Sequence, residues 1–159
     1  MRMRLETDGS NEFTLREGRA EDVPACAALH NAWVDETPWM PRVHSSAETE
    51  VFLRDHVFQV CTVYVAEDRR GTLGVIAFDT EGYVALLCVA LDMQRKGVGA
   101  ALIAKAKSHH PSCLMAWSFD ANSDACAFYA AQGFHEETRT AGENDEGLPD
   151  VLFVWRSSR

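Results

Sequence analysis

The feature that most constrains the fold is an apolar segment, residues 83–90, that leads through a glycine-bearing loop directly into a helical pattern. Eight successive residues without a charge (YVALLCVA) are typical of a central strand covered on both faces of a sheet. The helix is indicated by the i, i+3, i+4, i+7 spacing of Gly99, Leu102, Ile103 and Ala106. A strand, a tight loop and a helix in this order predict an α/β domain.

Shorter patterns on both sides of this segment supply the other elements. The predicted strands cover residues 13–16, 62–66, 73–78, 113–119 and 151–155, with a further strand from residue 134 onward. The predicted helices cover residues 20–34, 45–58, 99–110 and 122–132. The resulting order is β-α-α-β-β-β-α-β-α-β-β.

The length and composition allow one hydrophobic core. A chain of 159 residues, 47% hydrophobic and 25% charged, has the balance of a single globular domain. Residues 1–12 are polar and without a period, so we expect a flexible leader there. We therefore place the domain at residues 13–157.

Charge and composition exclude several classes of function. The net charge of -9 argues against nucleic acid as a partner and favours a cationic or amine substrate. No apolar run approaches the roughly 20 residues of a membrane helix, and the signal-peptide pattern is missing, so we expect a cytoplasmic protein without membrane contact. Five widely spaced cysteines indicate reduced thiols, neither a disulfide framework nor a metal site.

The loop after the apolar strand has the composition of an anion site. Gly97 and Gly99 allow close approach of a ligand to the backbone, and the first turn of the helix offers free N–H groups to a pyrophosphate. Arg95 and Lys96 add positive charge. The loop does not fit the dinucleotide fingerprint, because Leu102 stands where a third glycine or alanine is required. It also lacks the Gly-Lys-Ser/Thr ending of a Walker P-loop.

Two motifs carry a resemblance to a known family. The sequence QRKGVG at residues 94–99 is similar to the (R/Q)-x-x-G-x-(G/A) pyrophosphate loop of the GNAT superfamily of acetyl-CoA-dependent N-acetyltransferases. The sequence NSDACAFYAAQGF at residues 122–134 resembles the N-x-x-A-x-x-F-Y-x-x-x-G-F helix of the same family. The resemblance covers residues 14–155. It implies a single α/β domain whose mostly antiparallel sheet of about seven strands is flanked by four helices.

The resemblance also implies acetyl-CoA as co-substrate, with its pantetheine arm in the gap between two splayed central strands. The family often has a proline at the position of Leu91, so the bend after the strand is set less rigidly here. The expected contacts of acetyl-CoA are Val89, Leu91, Gln94, Arg95, Lys96, Gly97, Val98, Gly99, Ala100, Asn122 and Tyr129. No obligatory metal is implied.

In the same resemblance, Tyr129 is the catalytic residue that donates a proton to the departing CoA thiolate. The alternative is an ordinary core aromatic, because Tyr129 shares a helical face with Ala125 and Phe128. Asn122 fits a helix N-cap and a cofactor contact equally well, and the two roles are compatible. The backbone N–H of Val89 is the simplest donor to the oxyanion.

The general base and the acceptor pocket are less defined. Glu36, His44, Glu81, Tyr83 and a chain of waters are all open as the base. We expect Trp39, His44 and Tyr83 to contact the acceptor, since the loop between the first two helices shapes the acceptor pocket in the family. The alternative for Trp39 is a hydrophobic lid over the core.

The implied activity is direct transfer of an acetyl group from acetyl-CoA to a primary amine of a small molecule or peptide. Three alternatives stay open at this point. The chain could use another acyl-CoA or acceptor, or it could be a non-catalytic acyl-CoA-binding module, against which the retained Tyr129 argues. It could also be an unrelated α/β fold without affinity for CoA. A homodimer is expected by analogy with the family.

Overall fold

The computed structural model describes residues 3–7 and 11–158, which form one eight-stranded sheet with four helices on its two faces. The strands are β1 Met3–Thr7, β2 Asn11–Glu17, β3 Thr62–Asp68, β4 Gly71–Phe78, β5 Tyr83–Val89, β6 Cys113–Phe119, β7 His135–Thr140 and β8 Asp150–Arg156. The helices are α1 Val23–Asp35, α2 Ser46–Phe52, α3 Val98–His109 and α4 Ser123–Ala131. Helix α2 continues through a π-helical turn, Leu53–Val57, into a last α-helical turn, Phe58–Val60.

The sheet order is β1-β2-β3-β4-β5-β6-β8-β7, and every neighbouring pair is antiparallel except β5 and β6. The predicted mixed, mostly antiparallel sheet and the order of helices and strands are thus confirmed. Apart from strand β1, the predicted elements appear in the predicted order. The last two strands, β7 and β8, extend the sheet beyond β6, and β8 lies between β6 and β7.

Strand β1 differs from the sequence-based expectation of a leader over residues 1–12. Met3–Thr7 pairs antiparallel with β2, so this part of the predicted leader is a strand at the edge of the sheet. The pattern MRLET does alternate apolar and charged residues at first, but it is too short to distinguish from a polar tail. The predicted leader residues 1, 2 and 8–10 lie outside the described part of the chain.

Local sequence signals explain where the helices begin. Ser45 and Glu48 form a capping box, in which Ser45 Oγ accepts the N–H of Glu48 at 3.1 Å and Glu48 accepts the N–H of Ser45 at 3.3 Å. Asn122 caps α4 by accepting the N–H of Ala125 at 3.1 Å. Helix α3 begins instead at Gly97, whose φ of 88° only glycine adopts readily. A side chain therefore caps two helix starts, whereas α3 presents bare backbone.

Two hydrophobic clusters lie on opposite faces of the sheet, because successive strand residues point to opposite sides. In β3, Val63 and Val65 pack with residues of α1 and the π-helical turn, including Val23 and Leu53. The neighbouring residues Tyr64 and Ala66 pack on the other face, with residues of α3 and α4 such as Leu102 and Tyr129. The result is a three-layer α/β/α domain.

The central strand β5 is less buried than its sequence predicts. None of its seven residues is buried, and Ala85 is exposed. The expectation of a strand covered on both faces is therefore wrong. The reason is that β6 does not follow β5 along its length, so the apolar residues of β5 border an opening that a ligand can fill.

Gly74 on β4 sets how closely α3 can approach the sheet. A Cβ atom at this position would lie 2.9 Å from Val98 Cγ1, and 3.1 Å from both the Cys88 carbonyl oxygen and Leu102 Cδ1. We expect Gly74→Ala to destabilise the fold by about 1–3 kcal/mol through overpacking. Urea denaturation checks this, with Thr72→Ala on the same strand as the control. An unchanged free energy of unfolding would contradict the tight packing of α3.

Among the described residues, the helices are too short or too polar for any of them to cross a membrane.

Candidate active site

The site is a gap in the sheet between β5 and β6. These strands run parallel, and their pairing is confined to Tyr83 with Met115 and Val84 with Ala116. Beyond that point β5 continues beside β4, whereas β6 continues beside β8, so the two strands diverge. The divergence confirms the predicted splaying of these central strands. A cleft of about 1120 Å³ runs through the opening.

The cleft connects the two faces of the sheet. One wall is formed by the loop before α3 and by α3 and α4, from which come Leu91, Gln94, Arg95, Gly97, Gly99, Ala100, Asn122, Asp124, Phe128 and Tyr129. The other end is bordered by α1 with the two residues that follow it, and by the segment before β8 with the first residue of that strand. These contribute His30, Trp33, Glu36, Thr37, Asn144, Glu146 and Asp150. Residues 84–89 of β5 and 117–119 of β6 line the middle. One ligand could thus enter from each side of the sheet and meet the other in the gap.

The start of α3 has the geometry of an anion-binding loop. Gly97 has a φ of 88° and Arg95 a φ of 63°, so the loop is tightly wound before the helix begins. A Cβ atom on Gly99 would lie 3.0 Å from Phe128 Cε1, so glycine lets the first turn of α3 pack closely against the Phe128 ring, and both residues line the cleft. The N–H groups of the first helical turn have no partner within a helix, and the helix dipole adds partial positive charge. A pyrophosphate fits such a surface.

Of the two cationic side chains in this loop, Arg95 lines the cleft and Lys96 does not. Arg95 lines the cleft, where its guanidinium is 3.5 Å from the carboxylate of Asp124, and both side chains are exposed. Lys96 is exposed and does not line the cleft, and Val98 is buried in the core. Of the expected acetyl-CoA contacts, these two are the residues that the structure leaves outside the cleft.

Tyr129 lies at the bottom of the cleft with 7% of its surface exposed. Its ring stacks on Phe153 with centroids 5.5 Å apart and contacts Phe134 edge-on at 5.2 Å. Burial raises the pKa of its phenol, so the hydroxyl keeps its proton at neutral pH. Within the described part of the chain, no polar side-chain atom is both fully buried and unpaired, so the hydroxyl is not sealed in the core without a partner. The residue is both a core aromatic and a cleft residue.

The three expected acceptor contacts do not line the cleft. Trp39 packs edge-on against Trp33 at 5.8 Å and Phe119 at 6.0 Å, behind two residues that do line it. His44 is exposed, near the carboxylates of Glu48 and Asp145. These positions favour the lid alternative for Trp39.

The remaining base candidates divide in the same way. Tyr83 begins β5 in the paired part of the strand, where its N–H donates to Asp79 at 3.0 Å. Glu81 is exposed in the turn before it. Glu36 alone of the four candidate side chains lines the cleft.

The cleft residues that the sequence did not indicate include His30 on α1 and Cys88 on β5. His30 Nδ1 and Cys88 Sγ are 4.0 Å apart. Burial raises the pKa of the Cys88 thiol to about 12, and burial lowers the pKa of His30. The helical spacing of His30 and Trp33 was the available signal, since it places them on one face of α1.

A known protein family matches this chain over more than half of its length. The family model of the acetyltransferase (GNAT) domain matches residues 40–153. The chain belongs to the GNAT acetyltransferase family. It is an acetyl-CoA-dependent N-acetyltransferase, with acetyl-CoA as its co-substrate. The predictions of family and of reaction class are confirmed.

Relatives of this GNAT protein agree in sequence and fold. The peptidyl-lysine N-acetyltransferase YiaC of Escherichia coli (strain K12) is 28% identical over 144 residues, which cover 89% of this chain and 95% of that protein. A GCN5-related N-acetyltransferase structure from Rhodopseudomonas palustris superposes with a TM-score of 0.77 at 19% identity, covering 96% of this chain and 98% of that one. The ribosomal-protein-alanine N-acetyltransferase of Brucella melitensis gives 0.67 at 21% identity, covering 89% and 98%.

Proposed function

We propose that this GNAT protein transfers the acetyl group of acetyl-CoA to a primary amine, with Tyr129 as the proton donor to the departing thiolate. The observation that carries the proposal is the cleft between β5 and β6, which reaches the anion-binding start of α3 on one side and α1 on the other. Two substrates can therefore approach the same point from opposite faces of the sheet.

The residues of the first wall fit acetyl-CoA. The backbone N–H groups at the start of α3 would bind the pyrophosphate, where Gly97 and Gly99 line the cleft without a side chain. Gln94 and Arg95 lie beside them on the cleft. The apolar residues of β5 would pack along the pantetheine arm, which explains why an uncharged strand is left open. Acetyl-CoA supplies the activated thioester, and the protein supplies its placement.

Backbone direction on β5 supports Val89 as the oxyanion donor. The N–H of Ala90 donates to the carbonyl oxygen of Leu73 on β4 at 2.8 Å. Since successive N–H groups of a strand point in opposite directions, the N–H of Val89 points away from β4 and into the gap. A donor held in that position stabilises negative charge on a carbonyl oxygen without reorganisation.

The second opening of the cleft suits a cationic acceptor. Glu36 directly after α1 and Glu146 in the segment before β8 border it, and the chain carries a net charge of -9. Trp33 and Trp117 line the same cleft and can pack along an aliphatic stem. A lysine side chain combines such a stem with an ammonium group. The relative YiaC is named for peptidyl-lysine, so a lysine in a peptide is the first acceptor to test.

An amine screen tests the proposal. The protein is incubated with acetyl-CoA and, separately, a lysine-containing peptide, a peptide with a free N-terminal alanine, a diamine and an amino alcohol, and the released thiol is measured. We expect turnover of at least one amine and faster reaction with the lysine peptide than with the same peptide carrying norleucine in place of lysine. Propionyl-CoA in parallel shows whether the acetyl group is preferred. Binding of acetyl-CoA without turnover of any amine would contradict the proposal.

A further inference from the structure

His30 lines the α1 end of the cleft, on the side proposed for the acceptor amine. The proposed proton transfer from Tyr129 does not involve it. Its side chain is half-buried at the α1 end of the cleft, one helical turn before Trp33. Its Nδ1 atom is 4.0 Å from the Sγ atom of Cys88. Cys88 is the residue immediately before Val89, whose N–H points into the gap. The imidazole therefore lies beside the strand segment at which the acetyl group would be held.

We propose that His30 is the general base of the reaction, and that its imidazole accepts a proton from the ammonium group of the acceptor. The inference rests on the proposed function, because it assigns a role within the same cleft. It also separates the two proton transfers in space. His30 stands on the α1 side of the sheet, and Tyr129 packs with the cluster on the opposite side.

The proton balance requires both groups. The ammonium first gives one proton to His30, and the nitrogen lone pair then forms a C–N bond to the carbonyl carbon. The C–S bond breaks, and the sulfur takes a proton from Tyr129. The second proton of the nitrogen restores Tyr129, directly or through water, and the imidazolium releases its proton to solvent. The products are the N-acetylated amine, CoA with a free thiol, and one proton.

The surroundings of His30 favour the neutral imidazole that a base requires. Cys88 faces it from β5, and burial raises the pKa of that thiol to about 12, so it is an uncharged neighbour. Arg42, in the loop after α1, contributes positive charge. Burial first and Arg42 second lower the pKa of His30, so its neutral form persists to a lower pH than that of a free histidine.

Three other titratable residues of the cleft, Cys88, Tyr129 and Glu36, are less suited to this role. Cys88 would have to lose a strongly held proton before it could accept one. Tyr129 keeps its proton for the same reason. Glu36 is exposed where the cleft opens to solvent. Its carboxylate can attract the ammonium group there, but it lies outside the half-buried part of the cleft. Of these four side chains, His30 is the one whose chemistry and depth both fit.

The test measures the pH dependence of His30→Gln with an amine from the screen that the parent acetylates. At pH 7 we expect kcat to fall by about 10²- to 10⁴-fold. The difference in kcat between the parent and the variant should become smaller as the pH approaches about 10, where an alkylamine loses its proton without a base from the protein. His135→Gln, an exposed histidine on β7, should match the parent at every pH. Measurements of acetyl-CoA affinity and thermal unfolding check that His30→Gln is folded. If it is not folded, His30→Asn replaces it in the same experiment.

The outcomes separate this inference from the proposed function. A His30→Gln variant that matches the parent throughout, or one whose loss is the same at every pH, would overturn the role of His30 and leave the acetyltransferase intact. A parent that binds acetyl-CoA and acetylates none of the amines would overturn the proposed function itself, and with it the assignment of His30.

Discussion

Tyr129→Phe is expected to lower kcat for acetyl transfer by about 10²- to 10⁴-fold while leaving the affinity for acetyl-CoA nearly unchanged. The substitution removes only the hydroxyl group, and the ring contacts with Phe134 and Phe153 are kept. Because burial raises the pKa of the phenol, its proton stays in place until a base forms beside it. The thiolate leaving the carbonyl carbon is a weaker base than a phenolate, so the proton transfer requires that the sulfur and the hydroxyl be held close together in the gap. The measurement is steady-state kinetics with calorimetric binding.

Tyr64→Phe is the matched control for this prediction. Tyr64 is likewise buried, and its hydroxyl is 2.9 Å from His109 Nε2, away from the cleft residues. We expect this variant to keep the parent kcat, with at most a modest loss of stability from the missing hydrogen bond. If Tyr129→Phe and Tyr64→Phe both retain the parent rate, a proton from solvent completes the reaction and the assignment of Tyr129 is wrong.

Gly97→Glu is expected to weaken the binding of acetyl-CoA by about 100-fold or more. The added carboxylate would lie at the start of α3, where it competes for the free N–H groups and repels a pyrophosphate. The φ of 88° at this position adds backbone strain for any residue other than glycine. Calorimetric titration of acetyl-CoA measures the change in affinity.

The control for Gly97→Glu is Gly71→Glu. Gly71 also has a positive φ, of 123°, but it lies in the β3–β4 hairpin and nothing lies within 4 Å of a Cβ built there. The same charge and a comparable strain are thus introduced away from the cleft. Equal losses of affinity in the two variants would show a general effect of destabilisation and would contradict a pyrophosphate site at α3.

The order of elements and the loop before α3 were predictable because local chemistry defines them. In the sequence, an apolar strand at residues 83–90 leads into a loop with Gly97 and Gly99 and then into a helical pattern. In the structure, Gly97 has a positive φ and no side chain caps α3. Asn122 likewise appears as both cap and cleft residue. Such features depend on neighbours within a few positions along the chain, and the motif spacing records them.

The acceptor side was less predictable because distant segments form it. His30, Glu36 and Glu146 come together only after α1 and the segment before β8 have packed around the gap. The proposal of His44 as an acceptor contact came from its place in the loop after α1, but that loop turns its side chain to solvent. Strand β5 shows a different limit of the sequence. Its uncharged residues indicate a surface that is kept from water, but they do not show whether protein or a ligand covers that surface.

Acetyl-CoA is expected to lie in the gap between β5 and β6 with its pyrophosphate at the start of α3. Amide NMR of the ¹⁵N-labelled protein during titration with acetyl-CoA measures this directly. We expect saturable shifts and slowed hydrogen exchange at residues 85–91, 97–100 and 117–119, with little change along β7. Saturable binding whose shifts avoid these three segments, or no binding at all, would contradict this placement.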